Sequence, residues 1–293
     1  MLKKLLLSFC FLLFGFVQAQ DSTLLALLED KASSHERPYV SSTFKATQIV
    51  NTPTIESPAK KALQFMIMHR FGRVNEGAYA LFGLDNATIR FAFDYGITDR
   101  LAVGIGRSSF EKVYDASLKY KMLRQRENGV PFSVSAFGMI ANTTQKYSDK
   151  PYLNARYRTM YTSQLLIARK FNSNLSLQVT PSWIHFNLVP TSKDKNDVFA
   201  LGIGGRMKVS RRISINAEYD YRAPNQMVFN NVFNSLSLGV DIETGGHVFQ
   251  LIFSNSQGMI PPYYLAKTTG DWRRGDIYFG FNITRIFNLK KEK

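Results

Sequence analysis

Four histidines, His35, His69, His185 and His247, are the side chains best suited to move protons near neutral pH. Beside a serine and a carboxylate such as Asp85 or Asp149, a histidine would run acyl transfer; two histidines with a carboxylate would hold a transition metal. The spacing supports neither. No serine stands in a distinctive setting beside His69 or His185, and no carboxylate follows either at fixed ligand spacing. His35 falls in the N-terminal segment and His247 at a tight turn. The single cysteine, Cys10, lies in an apolar N-terminal run that is expected to be removed. Disulfides, thiolate metal sites and a cysteine nucleophile are therefore excluded from the rest of the chain. The expectation is no catalytic residue, no cofactor and no bound metal.

Gly104-Ile105-Gly106 has the opening of a dinucleotide fingerprint, but neither a helix nor an acidic residue follows at the required distance. Inside a strand, such glycines mark bending or close backbone approach, and Gly202, Gly204 and Gly205 read alike. The net charge of +15 invites nucleic acid as a partner. An export signal and the lack of a basic segment interleaved with aromatics exclude it.

The elements that must position any site are strands. In residues 86–107, Ala87, Ile89, Phe91, Phe93 and Tyr95 share one face, while Thr88, Arg90, Ala92 and Asp94 share the other. Ile213, Ile215, Ala217, Tyr219 and Tyr221 oppose Arg212, Ser214, Asn216, Glu218, Asp220 and Arg222 in the same way. Apolar faces backed by charge, recurring behind an export signal, point to a sheet whose apolar face meets lipid. Twelve segments follow: residues 62–70, 86–96, 100–107, 112–121, 130–140, 160–170, 174–186, 198–209, 212–222, 233–243, 247–254 and 276–287.

Connection lengths sort by side. Residues 97–99, 122–129, 171–173, 210–211 and 244–246 are mostly tight, whereas 71–85, 141–159, 187–197, 223–232 and 255–275 are long and only 108–111 is a short exception. Outer-membrane barrels alternate in this way, with short turns in the periplasm. The expected fold is all-β, an antiparallel transmembrane β-barrel of about twelve strands. The expected organisation is a signal peptide over 1–19, an N-terminal periplasmic or plug segment over 20–61, the barrel over 62–287 and a C-terminal tail over 288–293. Lys3, Lys4, the run to Val17 and small residues ending at Ala19 carry the signal-peptide reading. Residues 22–30 spell a short amphipathic helix, and 43–51 one further extended piece that plugs the lumen or lies beneath it.

With those residues in place, a resemblance can be stated. His69-Arg70-Phe71-Gly72, Phe82-Gly83-Leu84-Asp85, the run from Asp94 to Leu101, and Gly104 to Ser108 resemble an uncharacterised family of exported β-barrel proteins of diderm bacteria; Thr43 to Thr47 fit it too. The resemblance covers most of the chain after the signal and is strongest over 43–125. It implies the fold and an outer-membrane location, and transfers no catalytic residue. The leading expectation for function is a narrow solute channel or solute-binding barrel. The alternatives are a structural or partner-binding envelope barrel without a pore and a rim-located lipid-modifying enzyme. Membrane lipid, a small solute and a periplasmic protein are the partners to expect.

Alternation places Arg90, Lys119, Lys121, Arg212 and Arg222 in the lumen with Asp94, Asp115, Glu218, Asp220 and Asp276. Nearly balanced charges in a confined interior are expected to pair with one another. Arg70 and Asp85 bracket the first long loop and are expected to form an ion pair closing its base, with Phe71 and Phe82 packed over the rim. Gly96 is read as a turn glycine free to take positive φ, followed by Asp99 or Thr98 bonding local amides.

Overall fold

A computed structural model describes residues 38–229 and 231–289. The expected signal peptide and the short helix over 22–30 lie outside those residues. Barrel and lumenal segment belong to one compact unit, Tyr39–Lys293.

Among the described residues twelve antiparallel strands close into a barrel. They are β1 (Ala62–Arg73), β2 (Ala87–Gly96), β3 (Leu101–Ser108), β4 (Val113–Leu123), β5 (Ser133–Thr143) and β6 (Thr159–Lys170), then β7 (Leu175–Phe186), β8 (Asp197–Lys208), β9 (Ile213–Arg222), β10 (Ser235–Thr244), β11 (His247–Ser254) and β12 (Tyr278–Asn288). Each pairs with its chain neighbours, and β1 pairs with β12, Ala62 opposite Asn288 and His69 opposite Phe281. Closure leaves no open edge to recruit another chain. One long loop carries a short helix, α1 (Pro261–Ala266).

The wall is inside out relative to a soluble sheet. In β9, Ile215 is 46% exposed while Asn216 is 2% exposed, and the alternation runs the length of the strand. Apolar residues turned outward and polar residues turned inward require an apolar surrounding. Aromatic rings line the outer face at the closing seam: His69 stacks on Phe281 at 4.9 Å, and Phe71 on Phe279 at 5.7 Å.

The strand ends reveal why some expectations shift. Ser210 Oγ accepts from the backbone N–H of Arg212 and Ile213, so the turn claims Arg212 and β9 begins one residue later. Gly96 keeps extended backbone rather than positive φ. Its missing side chain lets residues 58–60 cross the barrel floor, where a Cβ would run into the Ala59 carbonyl, and the Lys61 N–H donates to the Gly96 carbonyl at 2.8 Å.

Candidate functional site

Residues 43–56 stand inside the barrel as a hairpin that enters and leaves by the short-turn rim. Gln48 pairs with Pro53, the Ile49 N–H donates to the Thr52 carbonyl and the Thr54 N–H to the Thr47 carbonyl, both at 2.9 Å. A two-residue tip, Val50-Asn51, results. An extended chain makes few hydrogen bonds with itself, so once buried its amides must find partners elsewhere. Here the barrel wall supplies them.

Glu218 of β9 is the main anchor. Its carboxylate accepts from three successive backbone N–H groups, Val50 at 3.1 Å, Asn51 at 2.8 Å and Thr52 at 3.0 Å. Hydrogen bonds to an ionised acceptor are the stronger class. Carbonyls of the hairpin are met by donors of complementary kind. Gln250 Nε2 donates to Ile49, Asn282 Nδ2 to Val50, and Gln178 Nε2 to Pro53, at 3.0, 3.2 and 2.7 Å. Lys119 Nζ donates to the carbonyls of Thr54 and Glu56 at 2.8 and 2.7 Å. Thus carboxylate faces amides and ammonium faces carbonyls.

Side chains of the tip fit glycines of the wall. A Cβ on Gly204 would press on Ile49 at 2.6 Å, and one on Gly239 would meet Val50 at 3.2 Å. The close approach expected of Gly204 is made by the hairpin. From the long-loop end α1 comes down onto the same centre with all six residues buried. Tyr264, Leu265 and Ala266 join Ile49, Val50 and Ile55 and the inward Phe137, Met139, Leu166, Ile184 and Val198 in one apolar core. Hairpin and helix together fill the lumen.

The lumen candidates divide. Arg90 and Asp115 pair as expected, at 2.5 and 3.1 Å, both buried. Asp94 faces inward and accepts from Gln64 Nε2 at 3.2 Å. Lys119 and Glu218 lie in the lumen but bond the hairpin backbone, not opposite charges. Asp220 is buried there, and its Oδ2 has no hydrogen-bond partner. Arg222 reaches the Val232 carbonyl at the rim. Arg212 is exposed in its turn, and Asp276 sits in the last long loop, paired with Arg73 at 3.4 Å; neither lines the lumen. A further bridge was not foreseen: Glu243 accepts from Arg206 at 2.7 Å and pairs with Lys45 of the hairpin arm at 3.3 Å.

The loop-closing pair does not form. Arg70 shares the inward parity of Gln64, Met66 and Met68, so it points into the lumen, fully buried, and donates to Asn282 Oδ1 at 3.0 Å and Asn51 Oδ1 at 2.9 Å. Asp85 stays exposed. Phe71 turns outward onto Phe279, and Phe82 is exposed in the loop. The neutral polar residues Gln64, Gln178, Gln250 and Asn282 also line the lumen, and charge patterning alone does not single them out. Their inward parity in strong strands was the available signal.

His69 and His185 sit on different sides of the barrel, on β1 and β7. His185 Nδ1 lies 2.8 Å from Asp197, which also accepts from Trp183 Nε1 at 2.9 Å. Among the described residues no hydroxyl is hydrogen-bonded to His185, and no three metal-ligating side chains gather.

Residues 44–287 match a family described as a membrane bound beta barrel domain (DUF5777). The chain belongs to this family. The protein is a membrane β-barrel. No curated protein matches it significantly. Among solved structures it is similar to the NanC porin, with a TM-score of 0.48 and 7% identity over 78% of this chain and 100% of that one. It is also similar to the KdgM porin, with a TM-score of 0.45 and 7% identity over 77% and 99%. An active-site mutant of outer membrane phospholipase A from Escherichia coli gives a TM-score of 0.45 and 11% identity over 78% and 91%.

Proposed function

We propose that this protein is an outer-membrane channel for small solutes that rests closed, its lumen filled by its own N-terminal hairpin. The grip of Glu218 on three hairpin amides carries the reading. The wall is polar around the hairpin tip, with Arg70, Ser237, Gln250, Ser254 and Asn282, and would hold water once the hairpin left. α1 covers a further sector of the wall, packing on β6 and β9 and adding Tyr264, Leu265 and Ala266 to the apolar core, so the path is narrow. Short turns on the side where the hairpin enters support a periplasmic origin for the movement.

Planar-bilayer recording tests this. The native protein is expected to show low baseline conductance with brief openings. A short thiol cross-linker between Thr47→Cys and Gln64→Cys, whose native side chains meet at 2.7 Å, should abolish the openings, and its cleavage should restore them. Steady current through the cross-linked protein would refute closure by the hairpin.

A second reading, a structural or partner-binding envelope barrel without a pore, draws on the filling of the lumen from both ends. It predicts no openings even when Glu218 is replaced. A rim-located lipid-modifying activity would rest on the His185–Asp197 pair and still needs a nucleophile.

A further inference from the structure

At the short-turn rim the entry arm of the hairpin meets a cluster of cations. The Tyr39 ring lies beneath the guanidinium groups of Arg124 and Arg126, 4.1 and 4.2 Å from its centre, and its hydroxyl accepts from Arg126. Lys170 Nζ donates to the Ser41 carbonyl at 2.9 Å, while Gln125 exchanges two hydrogen bonds with the Lys170 backbone. Beside them opens a recess of about 640 Å³ whose lining includes Tyr39, Arg126, Glu127, Arg169, Lys170 and Phe171. Among the described residues Arg124, Arg126, Arg169 and Lys170 make no ion pair with a carboxylate. Glu127, on the same lining, is exposed. The recess is therefore strongly positive and its cations have spare donors.

Its position says what the anion is attached to. Arg169 has the outward parity of Tyr161, Ser163 and Leu165, and its guanidinium lies 5.0 Å from the ring centre of Phe171. Phe171 is 51% exposed just past the strand end. An aromatic ring and a cation at the end of a lipid-facing strand mark the headgroup level of a bilayer. Arg169 reaches the recess from the lipid side, Lys170 has the opposite parity, and Arg126 comes from the neighbouring turn between β4 and β5. We propose that this recess binds the phosphate of an anionic phospholipid in the leaflet at the short-turn end. Guanidinium groups grip phosphate through paired hydrogen bonds, and a surplus of positive charge favours an anionic headgroup over a zwitterionic one. The bound headgroup would share Arg126 with Tyr39 and brace the hairpin where it enters. This site stands whether or not the lumen opens.

The full-length protein, reconstituted in nanodiscs of mixed phosphatidylglycerol and phosphatidylcholine, is released for native mass spectrometry. Native protein is expected to retain one phosphatidylglycerol in preference to phosphatidylcholine. Arg126→Gln/Arg169→Gln/Lys170→Gln should lower that retention by at least about tenfold, whereas Arg273→Gln/Arg274→Gln at the opposite rim should not. Heat-modifiable gel mobility reports whether each variant folds. Arg169→Gln alone, which removes no hydrogen bond within the protein, should give a smaller loss in the same direction. Equal retention by native protein and Arg169→Gln, or equal retention of the two lipids, overturns the site. Full displacement of the lipid by inorganic phosphate assigns the recess to the free anion and overturns the lipid proposal.

Discussion

The lumen is filled from below by an extended hairpin and from above by a helix, and the two are held by different means. Within α1 and its flanks the backbone largely satisfies itself, as in the Tyr264 N–H to Ile260 carbonyl and the Lys267 N–H to Tyr263 carbonyl bonds. That leaves apolar side chains to do the packing, with the Tyr263 hydroxyl tied to Glu111 at 2.7 Å. The hairpin makes few backbone bonds with itself, so Glu218 must meet its N–H groups and Gln250, Asn282, Gln178 and Lys119 its carbonyls. Buried extended chain needs polar partners from the wall, whereas a helix supplies most of its own backbone partners and asks the wall chiefly for packing. The two fillings share one apolar core and differ in who satisfies the backbone.

Substitutions can break that division. Glu218→Ala should have the largest effect, because three buried amides lose one charged acceptor together. A loss of about 3 to 5 kcal/mol in the docking of the hairpin is expected, by analogy with breaking a buried ionic partnership. Limited proteolysis of residues 43–56 should accelerate and bilayer conductance should rise. Unchanged protection would place the grip elsewhere.

Leu265→Ala on α1 should cost roughly 2 to 4 kcal/mol by opening a cavity, read as a lower heat-modification temperature. Hairpin protection should persist. If both variants release the hairpin equally, the two fillings form one cooperative unit and the comparison fails.

Lys119→Met sharpens it within the hairpin. Two carbonyls lose a donor, but the returning arm keeps Gln178, so roughly 1 to 2 kcal/mol is expected, with faster proteolysis near Thr54 and little change at the tip. The smallest effect concerns the long-loop end. Burial alone would raise the Asp194 carboxyl, but the Thr191 hydroxyl and the backbone N–H groups of Val228, Phe229 and Thr191 outweigh it and hold the carboxyl below its usual range. A depressed folded value means the tie is present above the ordinary carboxylate range and is lost as pH falls through the folded one. Cleavage of loop 223–232 should therefore rise only in acid, below about pH 4, and Asp194→Asn should flatten that dependence.

Most of the barrel was legible because one physical rule, the period of two, writes every strand into the sequence. Tyr219 outward and Glu218 inward follow from parity alone. Parity also contained the orientation of Arg70, which as an inward residue of β1 cannot reach Asp85 in the loop. The hairpin was legible only as an extended piece. The wall holds it by the hairpin's own backbone groups, which carry no residue identity, and its sequence through Pro53 shows no sustained alternation. The glycines opposite it were visible, yet a missing side chain does not say what occupies the space. Nor did loop 255–275 announce that Pro261 to Ala266 would turn inward, since six residues are too few for a helical period to stand out.

The hairpin comes in and goes out through one mouth, with β1 beginning directly after its return across Gly96. In topological terms this segment is a bight laid into a ring, not a thread drawn through it. The β1–β12 seam can zip before or after the bight is seated, and no strand pair need part for it to come away. Assembly of the wall and seating of the segment are thus topologically independent of one another.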